Sequence, residues 1–212
     1  MKIEVKDLTK KFQNQVVLEH ISMTMESGHI YGFIGRNGSG KSVFLKILCG
    51  FYMPTAGEIL FDGKNYAKKN RFYPTLGALI EKPMFLPNLT GFENLELLAS
   101  IKNKITKEDI LDSLKKVNLL DEKDKKYKKY SLGMKQKLGI AQAFMENPDV
   151  IILDEPFNGV EEETAIALRN MLKELKKQGK LIILATHMKE DVMDLSDVIY
   201  EVQNGKFHKQ EK

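Results

Sequence analysis

The fold is decided by the stretch Ile30-Tyr31-Gly32-Phe33-Ile34-Gly35-Arg36-Asn37-Gly38-Ser39-Gly40-Lys41-Ser42. Its first five residues are nearly all apolar, as is typical of a strand that is buried on both faces. The next eight match the pattern G-x-x-x-x-G-K-[ST] without a mismatch, and a helical segment from Ser42 to about Cys49 follows. A strand, a glycine-rich loop and a helix in this order predict a loop that binds phosphate groups.

The chemistry of phosphate binding explains the residue types in this loop. Glycines let the backbone approach the phosphates closely, and the start of the following helix is positive. Lys41 would contact the β- and γ-phosphates, and the Ser42 hydroxyl would bind Mg²⁺. An ordinary glycine-rich turn is the alternative, and it does not account for Lys41-Ser42 between these flanking elements. The predicted nucleotide-binding residues here are Gly35, Asn37, Gly38, Ser39, Gly40, Lys41, Ser42 and Val43.

A second motif, Val150-Ile151-Ile152-Leu153-Asp154-Glu155, consists of an apolar run that ends in two acids. A buried strand of this kind projects its last residues from the carboxyl edge of the sheet, where ligands of open α/β folds bind. We expect Asp154 to hold Mg²⁺ through water and Glu155 to polarise the attacking water. In isolation the two acids could be a solvated turn. Combined with the phosphate loop, they predict a nucleoside triphosphatase.

Composition limits the remaining possibilities. The chain has 212 residues, of which 42% are apolar and 29% charged, so we expect one folded domain rather than a disordered chain. No apolar run approaches the roughly 20 residues that a bilayer span needs, and the N-terminus lacks the pattern of a secretory signal. The net charge of +4 is too small to indicate nucleic-acid binding. The single cysteine, Cys49, fits a reducing compartment, and we expect it to be buried and inert.

Hydrophobic periodicity predicts an α/β fold. Residues 1–34 indicate short strands, and alternating apolar residues near Ile3 and Ile21 favour antiparallel pairing. The run Leu181–Ala185 resembles the other buried strands, and helical stretches between such runs imply a parallel sheet. Asn204-Gly205 between short apolar runs predicts a hairpin.

The segment from about residue 92 to residue 145 has a different pattern. Apolar residues recur there at helical spacing, and strand patterns are absent. We therefore predict a helical subdomain inserted into a core made of residues 1–91 and 146–212. The residues that define the helical spacing are Leu95, Leu98, Ile101, Ile110, Leu111, Leu114 and Val117.

Three further features give the chain a family resemblance. The segment Tyr130-Ser131-Leu132-Gly133-Met134-Lys135-Gln136-Lys137, which precedes Asp154, resembles the signature motif of ATP-binding cassette (ABC) proteins. His187 resembles the switch histidine of that family, and Phe12 lies where the family carries an adenine-stacking aromatic residue. The segments 76–83 and 90–95 further resemble ATPase subunits of bacitracin-resistance and lantibiotic-immunity exporters.

The resemblance implies a fold and a set of site residues. It implies an ABC-type nucleotide-binding domain, with a phosphate-loop core around a mixed sheet, an N-terminal antiparallel β subdomain and the inserted helical subdomain. It implies ATP and Mg²⁺ as ligands, adenine stacking by Phe12 and a γ-phosphate contact by His187. Ser131 and Gly133 would contact the γ-phosphate held by the opposite subunit of a dimer. Helix capping by Ser131, strand packing by Phe12 and a structural role for His187 are the alternatives.

The chain departs from the family pattern at several positions. The usual L-S-G-G-Q becomes Tyr-Ser-Leu-Gly-Met, and Gln136 lies beyond this five-residue core, so we do not expect it to replace the missing glutamine. Glu81 stands where the family usually has glutamine, and it could accept a hydrogen bond from water or bind the metal. Glu161 similarly replaces an aspartate.

The resemblance also implies a function. It predicts an ATP-hydrolysing subunit of a membrane exporter of an antimicrobial peptide, a peptide toxin or a drug. Its partners would be a separate transmembrane permease and a second nucleotide-binding subunit, at the cytoplasmic face of the membrane and without nucleic acid. The alternatives are a soluble ABC ATPase that acts on ribosomes or DNA, and a regulatory nucleotide-binding module without turnover.

Overall fold

A computed structural model of the chain describes residues 1–66, 73 and 75–211. The strands in this part are β1 (Lys2–Phe12), β2 (Gln15–Glu26), β3 (Ile30–Ile34), β4 (Ala56–Phe61), β5 (Leu76–Leu79), β6 (Val150–Asp154), β7 (Leu181–Thr186), β8 (Val198–Gln203) and β9 (Lys206–Lys209). The helices are α1 (Lys41–Leu48), α2 (Gly91–Lys102), α3 (Lys107–Lys116), α4 (Leu132–Phe144), α5 (Glu162–Lys177) and α6 (Glu190–Met193). Short 3₁₀ turns, Leu120–Glu122 and Tyr127–Lys129, lie between α3 and α4.

The larger sheet confirms the predicted α/β class. Its strand order is β5-β6-β7-β3-β8-β9, with parallel pairing throughout except between β8 and β9. The three continuous apolar runs form β3, β6 and β7, which are buried almost completely. Because these strands are parallel neighbours, their carboxyl ends meet at one edge of the sheet. That edge therefore brings together the phosphate loop, Asp154-Glu155 and Thr186-His187.

The N-terminal strands pair in antiparallel fashion, as predicted, in a sheet of order β2-β1-β4. The prediction of short strands was wrong, because β1 has 11 residues and β2 has 12. The register of β1 shifts between Val5 and Leu8, and Asp7 adopts a φ of 48° in that interval. Such a bulge lets the strand continue where the alternation of apolar residues is interrupted.

Helices α2, α3 and α4 lie between β5 and β6 in the sequence. Thr90 and Thr106 form capping boxes that start α2 and α3, which fixes where these helices begin. The helical spacing of apolar residues predicted one buried face for α2, and Leu95 is indeed fully buried. Ile101 is not, since it is 76% exposed at the end of the helix. The spacing of apolar residues therefore predicted the helix and its buried face correctly, but it was wrong about burial in the last turn of α2.

Two local predictions are confirmed. β8 and β9 form a hairpin in which Asn204 and Gly205 have φ values of 48° and 78°, as a two-residue turn with left-handed residues requires. Cys49 is buried at the end of α1, and burial raises the pKa of its thiol to about 12, so the reactive thiolate does not form near neutral pH. Among the described residues, no helix combines the length and apolarity that a bilayer span requires.

Candidate functional site

The phosphate loop ends directly at the start of α1. Gly40 has a φ of 112°, a conformation that L side chains rarely adopt, and an added Cβ would lie 2.7 Å from the Leu18 side chain. No side chain in the described part of the protein caps this helix, so the backbone N–H groups of its first turn remain free for a ligand. Gly40 and the first residues of α1 line a cavity of about 270 Å³ together with Asn37 and Gly38. The geometry is that of an anion-binding helix start.

Lys41 is almost completely buried beside this cavity. Its side-chain nitrogen donates hydrogen bonds to the carbonyl oxygens of Gly35 at 2.6 Å and Arg36 at 3.2 Å. Burial lowers the pKa of Lys41, while the negative charges of Glu155 and Asp154 oppose that shift. The ammonium group is therefore held in a poorly solvated position where phosphate oxygens could take over the role of the loop carbonyls.

Ser42 and Asp154 meet at the same cavity. The Ser42 hydroxyl donates to Oδ2 of Asp154 at 2.6 Å, whereas Oδ1 of Asp154 is buried and has no hydrogen-bond partner among the residues that the structure describes. Burial raises the pKa of Asp154, with the Ser42 hydrogen bond opposing the shift and the charge of Glu155 adding to it. A hydroxyl oxygen, a carboxylate oxygen and an unpaired buried oxygen fit the ligand preference of Mg²⁺, which also retains water and phosphate ligands.

Glu155 is positioned by both its side chain and its backbone. It follows β6 in the left-handed conformation with a φ of 50°. Oε2 accepts a hydrogen bond from the Thr186 hydroxyl at 3.0 Å, and Oε1 lies 2.9 Å from Nδ1 of His187. The two residues predicted to act on water and on the γ-phosphate therefore contact each other.

The contact with Glu155 limits what His187 can do. An ionised carboxylate only accepts hydrogen bonds, so Nδ1 of His187 must carry the proton. The other nitrogen of a neutral ring is then an acceptor and cannot donate to a phosphate. A hydrogen bond from His187 to the γ-phosphate consequently requires a second proton on the ring or a ring that has left Glu155. The predicted phosphate contact remains a prediction.

Phe12 and Glu81 lie outside the lining of this cavity. Phe12 is 38% exposed at the end of β1, and its ring packs edge-on against Tyr52 with centroids 5.3 Å apart. Val17, on the partner strand β2, does line the cavity. Glu81 forms an ion pair with Lys46 of helix α1, and its charge contributes to the raised pKa of Asp154. Neither residue lines the phosphate cradle, and their predicted roles in adenine stacking and metal binding remain predictions.

Ser131 and Gly133 also lie away from the cavity. Ser131 caps α4 by accepting a hydrogen bond from the backbone N–H of Met134 at 3.2 Å, as the capping alternative requires. Gly133 packs against the loop after β6, because an added Cβ would lie 2.7 Å from the carbonyl oxygen of Gly159. Both residues therefore have a structural role within the subunit. Their predicted contact across a dimer remains open.

The structure adds three residues that the sequence reasoning did not assign to the site. Lys46 pairs with Glu81, Thr186 holds the carboxylate of Glu155, and Gln136 donates to the backbone carbonyl of Glu155. The sequence pattern could have indicated Gln136, because this residue precedes Ile140 by one helical turn and lies on the same buried face of α4. A polar residue on such a face usually has a specific hydrogen-bond partner. Nothing local indicated Lys46 or Thr186.

Comparisons with known proteins place the chain in a family. The ABC transporter family model matches residues 18–158. The uncharacterized ABC transporter ATP-binding protein YybJ of Bacillus subtilis is 42% identical over 99% of this chain and 96% of its own length. The bacitracin transport ATP-binding protein BcrA of Enterococcus faecalis is 38% identical over 96% of this chain and 67% of its own. The lantibiotic transport ATP-binding protein SrtF of Streptococcus pyogenes is 32% identical over 96% of this chain and 88% of its own length.

A solved structure is similar over the whole chain. It is the dimeric, post-hydrolysis state of the ATP-binding cassette MJ0796 bound to ADP and Pi. The TM-score is 0.90 at 25% identity, and the match covers 99% of this chain and 98% of that one.

Proposed function

Because this chain belongs to the ABC transporter family and is an ATPase, we propose that it powers export through a separate membrane permease. The proposed cargo is an antimicrobial peptide, a peptide toxin or a drug. The similarity to bacitracin and lantibiotic transport proteins supports this cargo class. The chain would work at the cytoplasmic face of the membrane, where the permease holds it.

The observation that carries the proposal is the convergence of Lys41, Ser42, Asp154 and Glu155 on the cavity at the start of α1. Lys41 and the free N–H groups of α1 would bind and orient the phosphates of ATP. Ser42 and Asp154 would hold Mg²⁺, which when bound neutralises charge on the β- and γ-phosphates. These residues supply most of the positioning and electrostatic stabilisation that phosphoryl transfer requires.

Glu155 is the proposed general base. Its carboxylate lies beside the cavity and is held at one oxygen by Thr186 and at the other by His187. Such a carboxylate can accept a proton from water while its orientation stays fixed. His187 would leave Glu155 and turn toward the γ-phosphate when ATP is present.

The predicted signature residues Ser131 and Gly133 support a dimer as the active form. They lie outside the cavity of their own subunit, so they could complete a site only in another copy or a related chain. Two copies would enclose two ATP molecules, each bound by one phosphate loop and one Ser131-Gly133 segment. ATP binding would close this dimer, and hydrolysis would open it. The division into residues 92–145 and a core of residues 1–91 and 146–212 remains part of the proposal.

An apolar groove next to Glu81 is the proposed docking surface for the permease. The groove has a volume of about 520 Å³. It contains Met84, Leu86 and Leu97, which are 91%, 51% and 49% exposed. Contiguous apolar surface of this kind is typical of an interaction site, and an apolar helix of the permease would fit it. Movement of the Glu81 loop would then be transmitted to the membrane subunit.

The substitution Glu155→Gln tests the catalytic part of the proposal. The amide keeps the shape of the side chain but cannot take a proton, so kcat should fall by about 10²–10⁴-fold while ATP still binds. The variant should accumulate as an ATP-bound dimer in size-exclusion chromatography, whereas the nucleotide-free parent should be monomeric. Glu174→Gln, at an exposed position of α5, is the matched control. Parental turnover of Glu155→Gln would show that another group is the base.

The transport part predicts that a neighbouring reading frame encodes a polytopic membrane protein, and co-expression of this chain with that protein tests it. The complex should co-purify, and the parent should protect sensitive cells from bacitracin or a lantibiotic where Glu155→Gln does not. Leu97→Lys should abolish co-purification and leave the ATPase rate of the isolated chain unchanged. An isolated chain that instead sediments with ribosomes or DNA, and ignores the membrane protein, would contradict the export proposal.

A further inference from the structure

Helix α4 and Glu155 are joined by a buried hydrogen bond. Gln136 is 7% exposed, and its side-chain nitrogen donates to the backbone carbonyl of Glu155 at 2.9 Å. A carbonyl oxygen only accepts, so the NH₂ end of the Gln136 amide must face it. The contact joins two segments that are 19 residues apart in the sequence.

The peptide that Gln136 holds is an unusual one. Glu155 is a non-glycine residue with a φ of 50°, a conformation that persists only where its surroundings fix it. The backbone N–H of Glu155 donates to Ala185 at 2.7 Å, and its carbonyl also accepts from the N–H of Asn158 at 3.2 Å. Ala185 and Asn158 contact this peptide through their backbone groups, whereas Gln136 contacts it through its side chain, from helix α4.

Helix α4 also packs on the loop that follows Glu155. The close approach of Gly133 to the carbonyl of Gly159 leaves no room for a Cβ, and Leu132 lies against the same glycine. Ser131 caps the helix five residues before Gln136, a distance of about 7.5 Å along the axis. A displacement of the Ser131 end must therefore reach Gln136 through one rigid helix of 13 residues.

We propose that Gln136 is a positioning residue for Glu155, and that it links the segment facing the opposite subunit's ATP to this subunit's own general base. The inference rests on the proposed roles of Glu155 and Ser131. Gln136 already holds the left-handed peptide of Glu155, so ATP of the opposite subunit, by fixing the start of α4, would restrict the movement of that peptide as well. The carboxylate is then aimed at the attacking water.

The substitution Gln136→Met tests this role, because methionine keeps the length and burial of the side chain and removes the donor. The Glu155 carbonyl retains the N–H of Asn158, so the fold should persist with a melting temperature close to that of the parent. We expect kcat to fall by about 10–100-fold, the effect of a small misplacement of a catalytic group, with KM for ATP changed less than about twofold. The ATP-bound dimer should become longer-lived. Gln178→Met, at an exposed position at the end of α5, is the matched control.

A second variant, Gln136→Leu, also removes the donor without adding a charge, and it keeps the test decisive if Gln136→Met does not fold. Its kcat should also fall with KM unchanged. Parental kcat in a folded Gln136 variant, alongside an inactive Glu155→Gln, would overturn the positioning role and leave the proposed function intact. Parental kcat in both Gln136→Met and Glu155→Gln would overturn both. A fall in kcat that comes together with a weaker affinity for ATP and a lower melting temperature would show a merely structural role.

Discussion

The phosphate cradle and the Glu81 loop both place charged groups beside the proposed ATP site, but they hold them in opposite ways. In the cradle, Lys41 and Asp154 are 5% and 4% exposed, and each has specific hydrogen-bond partners. On the loop, the Glu81 side chain is 62% exposed and pairs with Lys46 alone among the described residues. One region is fixed by burial, whereas the other is open to water.

The difference has an energetic consequence. Water has little access to the cradle, so a contact with the phosphates that is lost there is not replaced by a contact with water. Water and salt screen the Lys46–Glu81 pair, and exposed ion pairs contribute only about 0–1 kcal/mol. Substitutions in the cradle should therefore change ATP binding strongly, and substitutions of the exposed pair should adjust it slightly. Substitutions of Lys41 and Lys46, which lie on the same helix with one lysine in each region, test this difference.

The largest effect is expected for Lys41→Ala. This change removes charge-assisted hydrogen bonds to the phosphates, each worth about 1.5–3 kcal/mol, so the Kd for ATP should rise by about 10–100-fold. Lys46→Ala, five residues later in α1, should change the Kd by less than about fivefold. Isothermal titration calorimetry measures both values. Equal effects of the two substitutions would show that burial does not distinguish the regions.

An intermediate effect, on stability, is expected for Asp154→Asn. Burial raises the pKa of Asp154 above its ordinary value of 3.8, so the ionised carboxylate costs stability at neutral pH in the nucleotide-free protein. The amide carries no charge, and the melting temperature at pH 7 should rise by about 2–4 °C, as about 1 kcal/mol gives in a domain of this size. The gain should shrink as the pH falls through the raised pKa, because the parent then takes up the proton itself.

Differential scanning fluorimetry with and without Mg²⁺ and ATP checks this prediction. The parent should gain stability from Mg²⁺ and ATP by ligand binding, and Asp154→Asn should lose most of that gain. A melting temperature of Asp154→Asn below that of the parent at pH 7 would contradict the stated cost of the buried carboxylate.

The smallest effect is expected for Glu81→Gln. The substitution removes a negative charge near the triphosphate, so Mg²⁺-free ATP should bind about two- to fivefold more tightly. Lys46 partly neutralises Glu81, and the effect should therefore be larger in a Lys46→Met background. With saturating Mg²⁺ the difference should shrink, while Glu81→Ala should lose activity. If the parent and Glu81→Gln bind Mg²⁺-free ATP with equal affinity in both backgrounds, the charge of Glu81 does not affect the ATP site.

The sequence predicted best the features that local spacing fixes. The order of strand, glycine loop and helix around Lys41 follows from residues that are neighbours in the chain, and so does the hairpin at Asn204-Gly205. The length of β1 could not be predicted in this way, because a bulge at Asp7 breaks the alternation while pairing continues. The exposure of Ile101 depends on where the neighbouring elements end, and the spacing of apolar residues within α2 gives no information about that.

The chemistry of the proposed site could be predicted from two short motifs. Lys41 and Ser42 lie in one motif and Asp154 and Glu155 in the other, because phosphate and metal binding require fixed residue types at short spacing. The distant groups that hold these side chains in place are known only from the folded structure. The contacts of Glu155 with His187 and with Gln136 join residues 32 and 19 positions apart, and Lys46 meets Glu81 across 35. These pairs follow from the strand order β5-β6-β7-β3, which is set by packing between segments that no local pattern connects.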